Sequence, residues 1–215
     1  MSDLYPPVVE TPRLRLVARR PKYVGVHEAY ELCSAPEMDD VTRYMPWSRH
    51  ETPKVTKEFL DRGESSWTDA ASADYAIIPR AGEGGAGEIA GFGGLHTEWD
   101  RRVGELGLWL RPRYWGRGYS GERAAALAAL AFDAFDLEVV SVSHVAENEQ
   151  SKRAIEKYMA ALGGDLDGRD RNSIVVDGEP TDELRYSVSR EDWLATTGGD
   201  YDAEFRWDVD PDDVR

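Results

Sequence analysis

The sequence predicts an α/β layer built on a mixed sheet, and three observations carry that prediction. Short alternating or β-branched runs recur along the chain, with helical stretches between them. Their order reads strand, two helices, three strands, helix, strand, helix, two strands, which fits neither an all-α nor an all-β core. No internal repeat or second hydrophobic unit divides the chain, so residues 1–195 read as one domain and 196–215 as an acidic C-terminal tail.

Residues 11–17 open with Thr-Pro and alternate Leu14 and Leu16 between arginines, a strand pattern. Residues 24–33 read as a helix, and 39–47 as a loop rich in large side chains. Thr52 suits a helix N-cap and Pro53 the first helical position, with Val55 and Phe59 four apart on the apolar face. Residues 74–78 form a strand, and the glycine-rich 81–87 a turn. Two more strands, 88–97 and 103–110, flank a turn at 98–102. After the segment 111–118 comes an Ala-rich helix, 120–135. A β-branched strand follows at 139–145 and a helix at 148–162. Residues 165–176 and 183–189 close the domain as a hairpin around Asp177-Gly178.

Composition narrows the function classes. The 215 residues hold 41 acidic against 26 basic side chains, a net charge of −15. A basic footprint for nucleic acid is lacking, so no nucleic-acid partner is expected. Hydrophobic content of 41% with 22 aromatic residues (seven Trp, ten Tyr, five Phe) argues against disorder. No apolar run approaches the roughly 20 residues of a membrane span. The first ten residues lack the basic-then-apolar pattern of a secretory signal, and the chain is expected in the cytoplasm. A single cysteine, Cys33, excludes an internal disulfide and any multi-cysteine metal site, and no metal is expected. Only five lysines accompany 21 arginines, a depletion that resembles proteins of organisms keeping molar salt in the cytoplasm.

The chemistry-bearing motif is Arg113-Tyr114-Trp115-Gly116-Arg117-Gly118, between a strand and a helix N-terminus. Two glycines two apart let the backbone bend and approach a ligand with no Cβ in the way. The helix N-terminus supplies unpaired N–H groups and a positive dipole end, which together suit a diphosphate. A plain strand-to-helix turn would also explain the glycines. Gly116-x-Gly118-x-x-Gly121 matches the dinucleotide pattern literally, but several strands precede it, whereas that pattern closes the first βα unit of a parallel sheet.

From these residues the chain resembles the GNAT N-acetyltransferase superfamily, in particular its RimJ/RimL-like branch. Arg113, Gly116 and Gly118 match the family's Arg/Gln-x-x-Gly-x-Gly/Ala signature. Leu108-Trp109-Leu110, Tyr114 to Tyr119 and Glu122 match the branch's fuller form, and Asn148-Glu149-Gln150-Ser151 with Ala154 to Lys157 its second cofactor segment. The segments 10–14 and 186–193 resemble the branch as well. The resemblance implies a mixed, mostly antiparallel central sheet with helices on both faces. It also implies a V-shaped splay between the two parallel strands 103–110 and 139–145. Acetyl-CoA would lie in that opening, its pantetheine against Leu108, Trp109 and Leu110. Its pyrophosphate would sit on Arg113, Trp115, Gly116, Arg117, Gly118, Tyr119 and Ser120, and Asn148 would hold the pantetheine arm. Asn148 also suits a helix N-cap, and the two roles are compatible.

Where many relatives carry a tyrosine seven residues after that asparagine, this chain has Ile155. Ser151, which matches the branch's serine, and Tyr158 are the candidate acids for the departing thiolate. Ser151, Ile155, Tyr158 and Leu162 share one helix face. Strand alternation puts Glu105, Gly107 and Trp109 on one face and the leucines 106, 108 and 110 on the other, so Glu105 leads as general base, with His96 the alternative. Tyr44 and Trp47 are expected to wall the acceptor site. The resemblance thus implies acetyl transfer to a primary amine, either a protein N-terminus or a small molecule, by direct attack in a ternary complex. A homodimer stays open. A noncatalytic acyl-CoA sensor is the alternative.

Overall fold

The computed structural model describes residues 3–210 and 214. The chain starts with β1 (Val8–Glu10) and β2 (Leu14–Ala18), then three helices, α1 (Val26–Cys33), α2 (Met38–Thr42) and α3 (Pro53–Thr68). Three strands follow: β3 (Ser72–Pro79), β4 (Gly91–Glu98) and β5 (Val103–Leu110). Next come α4 (Tyr119–Ala129), β6 (Val139–Val145), α5 (Glu149–Leu162), and the long hairpin of β7 (Asp165–Val176) with β8 (Glu179–Ser189). Helix α6 (Arg190–Thr197) and β9 (Glu204–Arg206) complete the described elements.

These strands form one nine-stranded sheet in the order β7-β8-β6-β5-β4-β3-β2-β1-β9. Every pairing is antiparallel except β5 with β6. That parallel register holds only at Val103–Val139, Gly104–Val140 and Glu105–Ser141. Beyond it β5 runs on to Leu110 and β6 to Val145 without pairing, so the two strands separate as a V. Helices α4 and α5 pack on each other and on the sheet, while α1 packs on α3 and α3 on β3.

Local chemistry explains the helix boundaries. Thr52 is extended before Pro53 at the start of α3, although its side chain makes no capping bond. Asn148 caps α5 by accepting from the Ser151 N–H at 3.1 Å, and Gly163, at φ +88°, ends that helix in the left-handed region. The helix expected over 120–135 is α4 continued by one π-helical turn, Leu130–Ala134. Residues 39–47, expected as a loop, contain the short helix α2, and the strand expected from 88 begins at Gly91.

Strands β1 and β9 escape sequence patterning because three residues cannot display an alternation. Within 196–210, β9 pairs with β1, and Trp207 Nε1 donates to the Leu4 carbonyl at 3.2 Å. Residues 1–2, 211–213 and 215 lie outside the described residues.

Candidate functional site

Two openings meet at β5. The larger, about 1310 Å³, follows the V and takes Leu108, Trp109 and Leu110 from β5. Across it stand Trp115, Gly116, Gly118, Tyr119 and Ser120, together with Asn148, Ser151 and Tyr158 from α5. The smaller, about 610 Å³, lies under α3 and shares Met45, Leu108 and Trp109 with the larger.

The groove is a backbone cradle. Gly116 and Gly118 sit at φ +74° and +80°, a region L side chains seldom enter, and Gly118 occupies the N-cap of α4. A Cβ at 116 would meet nothing within 4 Å, so the loop's glycines are set by conformation rather than by crowding. The amide-rich starts of α4 and α5 both face this groove, and β5 beyond Glu105 leaves strand edge unpaired on the β6 side. Glu122 anchors the arrangement to the distant β2: its carboxylate accepts from Thr11 Oγ1 (2.6 Å), the Arg13 N–H (2.8 Å) and Arg13 Nε (2.6 Å). Arg13 thereby lines the groove. An elongated anionic molecule with an amide-bearing arm suits these donors, the fit that coenzyme A requires.

Among the expected loop residues, two arginines turn elsewhere. Arg113 pairs with Glu88 and stacks on Tyr114, while Arg117 donates to the Gly84 carbonyl at 2.8 Å. Neither lines the groove. Tyr44 lines the groove and not the smaller cavity, whereas Trp47 lines that cavity and meets Trp109 at 5.8 Å between ring centroids.

The smaller cavity rests on β3, β4 and β5. Gly94 pairs with Gly107, leaving its floor without side chains. Asp74 Oδ1 occupies the space a Cβ at 94 would need, and His96 Nε2 stands 3.8 Å from where a Cβ at 107 would be. Trp47, Phe59, Phe92 and Trp109 form a run of touching rings along the wall. Glu105 shares this face as the cross-strand partner of His96, but it lies beyond the lining, with Ser143 Oγ donating to it at 3.4 Å.

Three charged groups here escaped the sequence reading. Asp74 is buried, its Oδ2 accepting from Arg19 Nη2 and Ser72 Oγ, both at 2.8 Å. An acid inside an otherwise apolar strand was its signal. Arg123, 1% exposed within the Ala-rich helix, has no acidic partner among the described residues. It donates to the Gly107 carbonyl at 3.0 Å, just where β5 leaves β6, and burial lowers its pKa. Arg62 lines the smaller cavity from α3.

The acetyltransferase (GNAT) domain family matches residues 13–159. The chain belongs to the GNAT acetyltransferase family. GNAT enzymes take their acetyl group from acetyl-CoA. Among curated proteins, YdaF of Bacillus subtilis (strain 168), provisionally named a ribosomal N-acetyltransferase, is 26% identical over 108 residues. That stretch covers 50% of this chain and 57% of YdaF, so the alignment spans little more than half of the relative.

Among solved structures, a GCN5-related N-acetyltransferase from Brucella melitensis superposes with TM-score 0.74 at 21% identity, covering 89% of this chain and 82% of that one. Mycobacterium smegmatis RimJ, solved with CoA-disulfide, gives 0.73 at 17% identity, covering 95% and 100%. These likenesses show the GNAT fold, with its mostly antiparallel sheet and one parallel pair.

Against the family frame the candidate acids separate. Ile155 is buried in the core. Ser151 and Tyr158 both line the groove, and burial pushes the Tyr158 phenol up to about 12 while nearby Arg123 pulls the other way. Cys33 lines the smaller cavity, but burial pushes its thiol up to about 12 as well. A thiol so hard to ionise is a poor nucleophile. No group of three or more His, Cys, Asp or Glu among the described residues could hold a metal ion, and none of the described helices is long and apolar enough to cross a membrane.

Proposed function

We propose that this GNAT domain moves an acetyl group from acetyl-CoA to a primary amine by direct attack in a ternary complex. The observation that carries the reading is the meeting of two separate openings at Leu108 and Trp109. One has donors for an elongated anion, the other ionisable groups over a bare glycine floor. An amine entering from the smaller cavity reaches the junction without passing through the groove. Transfer through the enzyme's own thiol is disfavoured, because Cys33 stays protonated at neutral pH.

Leu108, Trp109 and Leu110, the loop at Gly116 to Ser120, and the α5 start at Asn148 would hold acetyl-CoA, which supplies the activated acetyl group. A protonated amine cannot attack, so its proton must leave first. His96 takes it: of the two imidazoles that line the cavity, His50 has its Nδ1 bonded to Thr56 and its pKa lowered by burial. Glu105, the cross-strand partner of His96, places a carboxylate on the same sheet face. On the groove side Tyr158 is a standing proton donor for the departing sulfur, with Ser151 the alternative about two turns away on the same helix. The acid-rich, lysine-poor composition suits a salt-rich cytoplasm, where its self-repulsion would be screened.

Acetyl-CoA turnover against a panel of amines and peptide N-termini tests the reading. Amine-dependent release of free thiol is expected. Tight acetyl-CoA binding with no turnover on any acceptor would favour the sensor alternative.

A further inference from the structure

We propose that the smaller cavity takes a compact acceptor of mixed charge. Its amine docks at Asp74, its flat apolar body lies along the aromatic wall, and its carboxylate or phosphate sits at Arg62. This assignment rests on the amine-acetylation reading.

The anion subsite follows from how this acid-rich chain spends its carboxylates. Most arginines elsewhere are held by acids, among them Arg20 by Asp3 and Glu64, Arg111 by Glu37 and Arg190 by Asp136. Arg62 makes no hydrogen bond or ion pair among the described residues, although it stands on a helix carrying several acids. Each of those is committed elsewhere: Glu58 to Lys54 (3.6 Å), Asp61 to Lys57 (2.5 Å) and Glu64 to Arg20 (2.5 Å). The charge of Arg62 is felt inside the cavity, where it helps to lower the pKa values of Arg19 and His50. Of the arginines on the lining, Arg19 is held by Asp74 and Arg49 by Asp39, which leaves Arg62 without an acid in a chain whose net charge is −15. An arginine left uncommitted at the cavity of a strongly acidic protein favours an anionic group on the ligand.

The amine subsite follows from Asp74. Its Oδ2 is filled by Arg19 and Ser72, whereas Oδ1 lies over Gly94 with no hydrogen bond among the described residues. That free acceptor faces the glycine floor beside His96. Between the subsites, ring contacts of 5.3 to 5.8 Å link Phe59, Phe92, Trp109 and Trp47 into one apolar wall. A volume of about 610 Å³ suits a small molecule. The arginines oppose the N-terminus of a lysine-rich protein, the competing occupant.

Matched acceptors that differ in the anion test the assignment: L-phenylalanine against phenethylamine, tyramine phosphate against tyramine, and a lysine-rich peptide as the competing amine. The full-length enzyme is expected to favour at least one anionic member by tenfold or more in kcat/KM, and the two pairs separate carboxylate from phosphate. Arg62→Gln, at an exposed helix position, should collapse that ratio through KM. Asp74→Asn should lower kcat/KM for both members of a pair alike while acetyl-CoA affinity, by calorimetry, holds. Three results would overturn the acceptor class while leaving the cofactor groove standing: preference for neutral amines or the basic peptide, a ratio that survives Arg62→Gln, or no turnover of any acceptor despite acetyl-CoA binding. Absence of acetyl-CoA binding would remove the underlying reading and this assignment together.

Discussion

The groove along β5 is made chiefly of backbone: two left-handed glycines, two helix starts and an unpaired strand edge. The cavity under α3 is made chiefly of side chains, which come from Arg19 after β2, the end of α1, the 45–51 segment, α3 and the three central strands. Backbone donors arise from a short contiguous segment, and their aim follows from the local turn and helix. Side-chain constellations need several elements docked in register before any two groups meet. The first kind of site tolerates sequence change around it, whereas the second is re-specified by single substitutions.

If the two regions divide the labour in this way, binding and turnover should separate by mutation. His96→Gln is expected to cut turnover by about 10²-fold or more, the scale of general-base catalysis. Acetyl-CoA affinity should be untouched. The deficit should narrow as pH rises, because a larger share of the acceptor is then already neutral. Glu105→Gln should cost less, because its carboxylate lies beyond the cavity lining. Steady-state kinetics from pH 6 to 9 checks both. The reverse ranking would move the base outward to the strand-end carboxylate and redraw the cavity's limits.

Gly118→Val attacks the other region. A β-branched residue at φ +80° is strained, so the loop must shift or distort. A loss of at least tenfold in acetyl-CoA affinity is expected, equivalent to about 1.4 kcal/mol, with turnover at saturation largely kept. The nearest atom to an added Cβ is the end of the flexible Arg13 side chain at 3.3 Å, so the fold should survive. Calorimetry showing unchanged affinity would end the backbone-cradle account.

The smallest effect is expected at the boundary between the regions. Tyr158→Phe should slow turnover by up to about tenfold, below the full general-acid range, because a thiolate leaves tolerably well unprotonated. With its phenol pushed up to about 12, Tyr158 remains protonated across the assay range and should add no limb to the pH profile below pH 10. An acyl donor with a more acidic thiol should shrink the deficit. If Ser151→Ala shows that pattern instead, the serine is the donor.

Legibility followed the same division. The loop from Arg113 to Ser120 and the cap at Asn148 were readable as an anion-binding segment, since Gly spacing and a helix start are local signals. Reading them did not say where Arg113 and Arg117 point. Their partners, Glu88 and Gly84, come from a turn distant in sequence. Asp74 and Arg123 each left a trace, a charge inside an apolar stretch, but a trace without a partner does not specify a role. Arg62 left none, because an arginine on an amphipathic helix looks like any solvated charge.

The sequence by itself determined the order of the longer strands and helices from β2 to β8, the Asn148 cap, the glycine loop and the absence of a multi-cysteine site. All of these depend on residues within a few positions of each other, where steric and hydrogen-bonding preferences act directly. Tertiary structure alone decided that β5 and β6 part after Glu105, and that β9 returns to the sheet edge beside β1. It alone brought Asp74, His96, Arg62 and Trp109 around one glycine floor. Those positions lie far apart along the chain, and packing and strand register, rather than local preference, set the distances between them.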